Sequence, residues 1–290
     1  MAAPISVAVR RAGELESRHT VHAVRVADGR VVESWGDPEL VSFMRSVAKP
    51  LQALPVVEAV PELTDAEIAI ASASHEALPD QLDAVKALLA RSWSTEDDLE
   101  CGPEGRSRLR HNCSGKHAGM LLLAKRRGWP LPGYRLAGHP AQDIARVVVS
   151  AACGVDPDAV PTAVDGCGVV TFAVPISAMA RAFSRLVARE LDGADRVVPA
   201  MLARPELVGG PESDDTAVMT ALTGAIAKRG AEGLLCVGLH DGSALALKVE
   251  DGASRAAGPA VGYLLGLDAL RERPLFNSRK ERVGTIQAEI

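Results

Sequence analysis

The order of strand-like and helix-like segments along the chain limits its fold more than any other feature. Residues 5–36 are rich in β-branched side chains. Helical patterns dominate after residue 46, and two strand-like runs, 234–239 and 244–249, follow near the end. Because regular alternation of strands and helices is absent, the order argues against a doubly wound parallel sheet. It predicts an α+β fold with an antiparallel sheet flanked by helices plus a helical lobe.

Local signals place individual elements within this order. Asp28-Gly29-Arg30 is typical of a β-hairpin turn. Thr64 and Glu67 form a capping-box pattern at a helix start. The apolar run 68–73 reads as a strand whose end presents Ser74. Helices are predicted over residues 79–91, 139–152, 178–190, 195–202, 215–229 and 259–269.

Composition excludes several classes of partner. The chain has 290 residues, 47% of them apolar and 24% charged, and we expect residues 1–290 to form one domain. A net charge of −5 and an aromatic content of 3% argue against a nucleic-acid surface. No apolar run in the sequence is long enough to span a bilayer, so we expect no membrane partner.

The N-terminus and the cysteines bear on location. The first seven residues lack a basic region followed by a long apolar core, so no signal peptide is predicted. Without export, the five cysteines are better read as thiols or metal ligands than as disulfides. We therefore expect a cytoplasmic protein.

Ser46 and Lys49 are the first candidates for chemistry. They lie three residues apart at the start of an apolar segment, so a helical turn would place them on one face. A buried lysine has a lowered pKa and can then accept a serine proton. The same spacing is one part of the signature of penicillin-recognising acyl-transfer enzymes. The alternative is a helix cap followed by a solvated lysine. Since a residue before proline avoids the helical region, the helix can also begin at Pro50.

Ser74 and His75 follow the apolar run 68–73 and form a second candidate group. Strand ends that face a cleft commonly carry reactive side chains. The alternative is a loop serine that caps the next helix.

Cys113 and the distant Cys167 form a third group. Thiolates are good zinc ligands, but two are too few for a closed structural site. Lys116 or His117 lies three or four residues from Cys113 and could supply a further ligand. The alternative is two unrelated buried thiols.

Lys248 is the fourth candidate, within the otherwise apolar run 244–249. Strand alternation would place it on the same face as Ala244 and Ala246. The alternative is an ordinary solvated lysine on an exposed face.

Six segments, in order across most of the chain, together resemble the bacterial L-asparaginase II family, which is unrelated to the threonine-dependent asparaginases. The matching segments are RSVAKPLQ (45–52), SASH (72–75), HNCSGKHAG (111–119), DGCG (165–168), GAEG (230–233) and ALKVEDG (246–252). The resemblance implies a fold similar to serine β-lactamases and penicillin-binding proteins. It also implies hydrolysis of L-asparagine to L-aspartate and ammonia.

The resemblance further implies two Ser-Lys dyads. In the family pattern Ser46 pairs with Lys49, and Ser74 pairs with Lys248. Either serine, deprotonated by its lysine, would attack the side-chain amide and form an acyl-enzyme. The order of the segments does not decide between the two serines.

A zinc ion next to the substrate is implied as well. Its ligands by the family pattern are Cys113, Lys116 and Cys167. The residues implied to line the substrate pocket are Arg45, His75 and Asp165. We expect L-asparagine as the small-molecule partner and a homodimer as the assembly. Two other functions stay open, a β-lactam or peptide acylase on the same scaffold and a zinc-binding protein without turnover.

Overall fold

The structure, a computed structural model, describes residues 2–289 and is a mixed α+β fold, as predicted. Its strands are β1 (Ile5–Arg11), β2 (Glu14–Ala27), β3 (Arg30–Trp35), β4 (Val41–Phe43), β5 (Thr162–Val164), β6 (Val170–Pro175), β7 (Ile226–Gly230), β8 (Leu234–Gly238), β9 (Ala244–Val249), β10 (Glu272–Phe276) and β11 (Arg282–Glu289). Its helices are α1 (Lys49–Ala59), α2 (Asp65–Ala71), α3 (Pro79–Arg91), α4 (Ser114–Arg127), α5 (Pro140–Cys153), α6 (Ile176–Val187), α7 (Ala194–Ala203), α8 (Pro205–Gly209), α9 (Asp214–Ala221), α10 (Ala257–Leu265) and α11 (Asp268–Arg271).

The main sheet has eight antiparallel strands in the order β10-β11-β1-β2-β9-β8-β7. β1 pairs with the first half of β2, and β3 pairs with the second half along the same edge. Asp28 and Gly29 join β2 to β3 with φ angles of 50° and 71°, which is the two-residue turn that favours hairpins. The predicted hairpin is therefore confirmed. A small second sheet has the order β4-β6-β5.

The centre of the main sheet is covered on both faces. Every residue of β8 is buried, which requires protein above and below the strand. α6 packs against β2, β8 and β9, whereas α10 packs against β1, β9 and β11. The strand β7 forms the free edge next to β8, and it contacts the 3₁₀ turn Arg45–Ala48.

The start of α1 follows the constraint that Pro50 imposes. Residues Arg45–Ala48 form a 3₁₀ turn, and the α-helix begins at Lys49. Ser46 thus lies in the turn ahead of the helix, and Lys49 is its first residue. The predicted capping box is also confirmed, since Thr64 and Glu67 bond to each other's backbone N–H groups at the start of α2.

Two local predictions are wrong. The run 68–73 forms the second half of α2 and the bend that follows, so Ser74 leaves a helix rather than a strand. The predicted helix 215–229 ends at Ala221, and the chain then turns at Gly224 into β7. Short alanine-rich runs fit either period, and here tertiary pairing with β8 decides the outcome.

The helical lobe brings α4 close to the end of α2. A Cβ atom at Gly115 would lie 2.1 Å from the carbonyl oxygen of Ile70, so glycine is required for this approach. The first turn of α4 carries Ser114 and Lys116 and therefore lies beside the segment that leaves α2.

No helix within residues 2–289 has both the length and the apolar character that crossing a bilayer requires. The assignment of residues 1–290 to one domain stays a prediction.

Candidate active site

A cleft of about 530 Å³ opens between the main sheet and the helical lobe. The 3₁₀ turn before α1, the segment after α2, the loop before α4 and the end of β7 form its walls. The residues that line it are Ser46, Ser74, His75, Glu76, Glu104, Arg110, Asn112, Arg229, Gly230, Ala231 and Ser254. Both candidate serines therefore lie in one cleft, although 28 positions separate them in the sequence.

Lys49 is the amine closest to a cleft hydroxyl. Its Nζ lies 2.9 Å from Ser74 Oγ, and it also donates to the carbonyl oxygens of Ala73 and, at 3.4 Å, Asn112. The side chain is fully buried. Burial lowers the pKa of Lys49. The Cys113 thiolate raises this pKa, and the neighbouring Lys116 charge lowers it. A neutral Lys49 can accept the Ser74 proton directly.

Ser46 does not make the predicted pair with Lys49. Its hydroxyl lines the cleft, and no side-chain hydrogen bond to it is found within residues 2–289. The physical reason is that the lysine side chain runs inward, where two carbonyl oxygens and Ser74 Oγ surround its nitrogen. In this structure the hydrogen bond of Lys49 is therefore with Ser74 and not with Ser46, and a catalytic Ser46–Lys49 pair stays a prediction.

Lys248 does not make the predicted pair with Ser74. Its Nζ donates to the carbonyl of Val249, its side chain is only partly buried, and it is absent from the cleft lining. Burial lowers the pKa of Lys248, while the nearby carboxylates of Glu232, Asp251 and Glu250 act in the opposite direction.

Lys228 is the lysine that sequence reasoning missed. It lies on β7, is fully buried, and donates to Asp215 Oδ2 at 3.2 Å and to the carbonyl of Arg229 at 3.0 Å. Burial lowers the pKa of Lys228 to about 8 despite Asp215, and the charge of Lys49 contributes. The two amines are thus close enough to influence each other. Lys228 was not singled out because the sequence predicted a helix over residues 215–229. The Lys-Arg-Gly sequence at the end of β7 was the signal that could have identified it.

His75 joins the cleft to α4. Its Nδ1 accepts the N–H of Ala77 at 3.1 Å, so the ring proton lies on Nε2 and is donated to Ser114 Oγ at 2.8 Å. Ser114 Oγ in turn donates to the carbonyl of Leu109 at 2.8 Å. Burial and then the charge of Lys49 lower the pKa of His75 to about 4, so the ring is neutral at physiological pH.

Arg45 and Asp165 form an ion pair with each other behind the cleft. Arg45 has a φ of 50°, in the left-handed region, and its N–H donates to Thr171 Oγ1 at 3.1 Å. Strain of this kind is held by surrounding contacts and often lies at functional sites. Here it orients the turn that presents Ser46. Neither Arg45 nor Asp165 lines the cleft, so their contact with substrate stays a prediction.

The three predicted metal ligands converge in the interior. Lys116 Nζ lies 3.2 Å from Cys167 Sγ, and Cys113 Sγ donates to Asn112 Oδ1 at 3.1 Å. The proximity of the two thiols lowers the pKa of Cys113 and raises the pKa of Cys167. Burial alone would lower the pKa of Lys116, but the two sulfurs raise it.

The donor set fits a metal ion that accepts sulfur and nitrogen. His117 is not one of the donors that converge, since its Nδ1 faces Tyr134 Oη at 2.6 Å. Within residues 2–289 no cluster of three or more His, Cys, Asp or Glu side chains could hold a metal. A metal at Cys113 and Cys167 would therefore need Lys116 as its third protein ligand.

A hydroxyl, a buried amine and a cleft between a sheet and a helical lobe are the elements of a serine–lysine hydrolase. The sequence profile described as L-asparaginase II matches residues 7–287. The chain therefore belongs to the L-asparaginase II family, and membership implies an asparaginase.

Comparisons of structure give weaker similarities. The chain is similar to a putative β-lactamase from Bacteroides dorei, with a TM-score of 0.44 and 12% identity over 91% of this chain and 94% of the other. It is also similar to a β-lactamase from Mycobacterium bovis, with a TM-score of 0.38 and 16% identity over 80% and 87%. Among curated proteins, none matches the sequence.

We predict that His75 stays neutral from about pH 8 down to about pH 5, because its folded pKa is about 4. Its imidazole signals, assigned in nitrogen-15 spectra by comparison with His75→Gln, should not shift over this range. The unfolded pKa is near 6.5, so the His75 contribution to stability is lost as pH falls from 6.5 through 4. A titration midpoint near 6.5 would contradict the prediction.

Proposed function

We propose that the protein hydrolyses L-asparagine to L-aspartate and ammonia, with Ser74 as the nucleophile and Lys49 as its base. The contact of 2.9 Å between Lys49 Nζ and Ser74 Oγ at the wall of the cleft carries the proposal. Family membership supports the substrate.

The proposed reaction has two steps. Neutral Lys49 takes the Ser74 proton while Oγ attacks the carbon of the side-chain amide. The resulting ammonium returns the proton to the leaving nitrogen, ammonia departs, and Ser74 carries an aspartyl ester. Water then adds to the ester while Lys49 takes its proton, the bond between Ser74 Oγ and the carbonyl carbon breaks, Lys49 returns the proton to Oγ, and L-aspartate leaves.

Ser46 is suited to a supporting role. The backbone N–H groups of Ser74 and His75 already donate to Val208 and Asn112, so they cannot stabilise an oxyanion in this arrangement. The Ser46 hydroxyl faces the same cleft without a protein partner among the described residues. We assign it as a donor to the oxyanion.

We assign to Lys228 the second-lysine role that the family resemblance implied for Lys248. It is absent from the cleft lining, so we propose no contact with substrate. The charge of Lys49 lowers the pKa of Lys228, and because interaction between two charges is mutual, we propose that Lys228 acts on Lys49 in turn. A positive charge nearby keeps Lys49 neutral and basic.

We also propose that Cys113, Lys116 and Cys167 would hold zinc. When bound, zinc would supply a fixed positive charge close to Lys49, whose pKa already responds to Cys113 and Lys116. The donors would also fix the first turn of α4, which carries the Ser114 partner of His75. A homodimer and a cytoplasmic location stay predictions.

Ser74→Ala should lower kcat for ammonia release from L-asparagine by about a thousandfold or more, because it removes the nucleophile. Ser46→Ala should lower kcat by about a hundredfold, in keeping with the loss of one oxyanion donor.

Glutamine and the β-lactam nitrocefin serve as alternative substrates in the same assay. Near-full activity of Ser74→Ala would remove it from the mechanism, and nitrocefin turnover without ammonia release would favour the acylase.

Lys228→Met should lower kcat by at least about a hundredfold and shift the pH–rate profile to higher pH, because Lys49 then holds its proton more tightly. Lys248→Met, a matched change on the neighbouring surface, should change kcat less than about threefold. Because Lys228→Met leaves Asp215 buried without its partner, the double variant Asp215→Asn/Lys228→Met separates folding from catalysis. Equal losses in Lys228→Met and Lys248→Met would contradict the assignment.

The zinc proposal predicts about one zinc per chain by plasma mass spectrometry, in line with one set of donors. Cys113→Ser, Cys167→Ser and Lys116→Met should each lower that content. Cys153→Ala, a buried cysteine outside the cluster, is the control and should leave it unchanged. A zinc content that is insensitive to Lys116→Met and Cys167→Ser would contradict this ligand set.

A further inference from the structure

The cleft contains an ion pair whose role the mechanism above does not use. Glu76 Oε1 and Arg229 Nη2 lie 3.4 Å apart, and both residues line the cleft. Their side chains are 41% and 37% exposed, so the pair contributes little to folding. We propose that Glu76 and Arg229 form the subsite that binds the α-ammonium and α-carboxylate groups of an amino-acid substrate, an inference that rests on the proposed function.

The charges match an α-amino acid in both sign and spacing. The ammonium and carboxylate of such a molecule are attached to one carbon atom. A site that binds both must therefore hold its own carboxylate and guanidinium next to each other. Glu76 and Arg229 meet this condition, and guanidinium is the group best suited to bind a carboxylate through two hydrogen bonds.

The protein holds both side chains in place. Arg229 Nη2 donates to the carbonyl of Gly209 at 3.0 Å, and the Arg229 N–H donates to Asp215 Oδ1 at 2.6 Å. A Cβ atom at Gly210 would lie 2.3 Å from Glu76 Oε2, so a glycine there leaves room for the carboxylate. These contacts pre-orient two polar groups that remain partly accessible from the cleft.

The subsite is close along the chain to the proposed nucleophile. Ser74 and Glu76 are two positions apart, so their Cα atoms lie within about 7 Å of each other. In L-asparagine only one methylene separates the α-carbon from the amide carbon. When the side-chain amide of L-asparagine lies at Ser74, the α-ammonium and α-carboxylate groups therefore lie near Glu76 and Arg229.

Two other charged residues of the cleft lining provide matched controls. Glu104 and Arg110 belong to the loop before α4, and neither has an ion-pair partner within residues 2–289. Glu104→Gln and Arg110→Gln remove the same charges from the same cleft, but from its other wall.

The test is calorimetric binding of three ligands to the full chain. L-Aspartate carries both α-groups, succinate lacks the ammonium, and 3-aminopropanoate lacks the α-carboxylate. Glu76→Gln should weaken the binding of L-aspartate by about tenfold or more, and the binding of succinate should be unchanged or tighter. Arg229→Gln should weaken the binding of L-aspartate by a similar factor and leave the binding of 3-aminopropanoate unchanged. Arg229→Lys should recover part of the lost affinity for L-aspartate.

Two outcomes would overturn the proposal. One is an equal loss of affinity for L-aspartate and for succinate in Glu76→Gln, which indicates a structural role of Glu76. The other is ligand-selective loss in Glu104→Gln or Arg110→Gln instead. Wild-type ammonia release from L-asparagine is measured in parallel, so the two proposals fail separately. Selective binding without ammonia release would reject the asparaginase reaction and keep the amino-acid subsite, whereas ammonia release without selective binding would reject only the subsite.

Discussion

The burial of the Lys49 side chain is the constraint on which the rest of the cleft depends. A buried ammonium loses its hydration, and this cost is met either by loss of its proton or by nearby negative charge. Both routes are present here. The carbonyls of Ala73 and Asn112 and the hydroxyl of Ser74 satisfy the nitrogen, while the thiol pair of Cys113 and Cys167 supplies the opposing charge. The balance between them sets whether Lys49 is an acid or a base.

This coupling links the proposed metal pocket to the proposed chemistry without a direct contact between them. The thiol pair raises the pKa of Lys49, Lys116 lowers it, and burial exceeds both effects. The charges of Lys49 and Cys113 also act on His75, whose lowered pKa keeps the ring neutral. The neutral ring donates a hydrogen bond to Ser114 at the start of α4. A change of charge at Cys113 or Lys49 would therefore alter the pKa of His75. The close approach of α4 to α2 at Gly115 makes the coupling possible.

The sequence predicted the elements with strong local signals. The hairpin at Asp28-Gly29, the capping box at Thr64 and the helix Pro79–Arg91 are all confirmed, since each depends on turn or cap chemistry within a few residues. β10 and β11 lie beyond the last predicted helix and were not anticipated, because the pairing of β11 with the distant β1 leaves little local trace and β10 pairs only with β11 among the described strands.

Pairings between side chains were harder to predict than the residues themselves. The sequence singled out Ser46, Ser74 and Lys49, but the pairings that the family resemblance implied differ from the hydrogen bonds in the structure. Spacing along the chain favours Ser46 for Lys49, whereas the direction of the buried side chain selects Ser74. Lys228 was missed because its strand is short and was read as helix. Glu76 and Arg229 carry no recognisable spacing, and only the fold brings them together.

The most direct measurement of the central claim is the identity of the serine that carries the acyl group. The protein is mixed with L-asparagine, quenched in acid within one turnover, digested and mapped by mass spectrometry. The Ser74–Lys49 contact predicts an aspartyl ester on the peptide that contains Ser74, and none in Lys49→Met. An ester on Ser46, or ammonia release with no ester on either serine, would contradict the account.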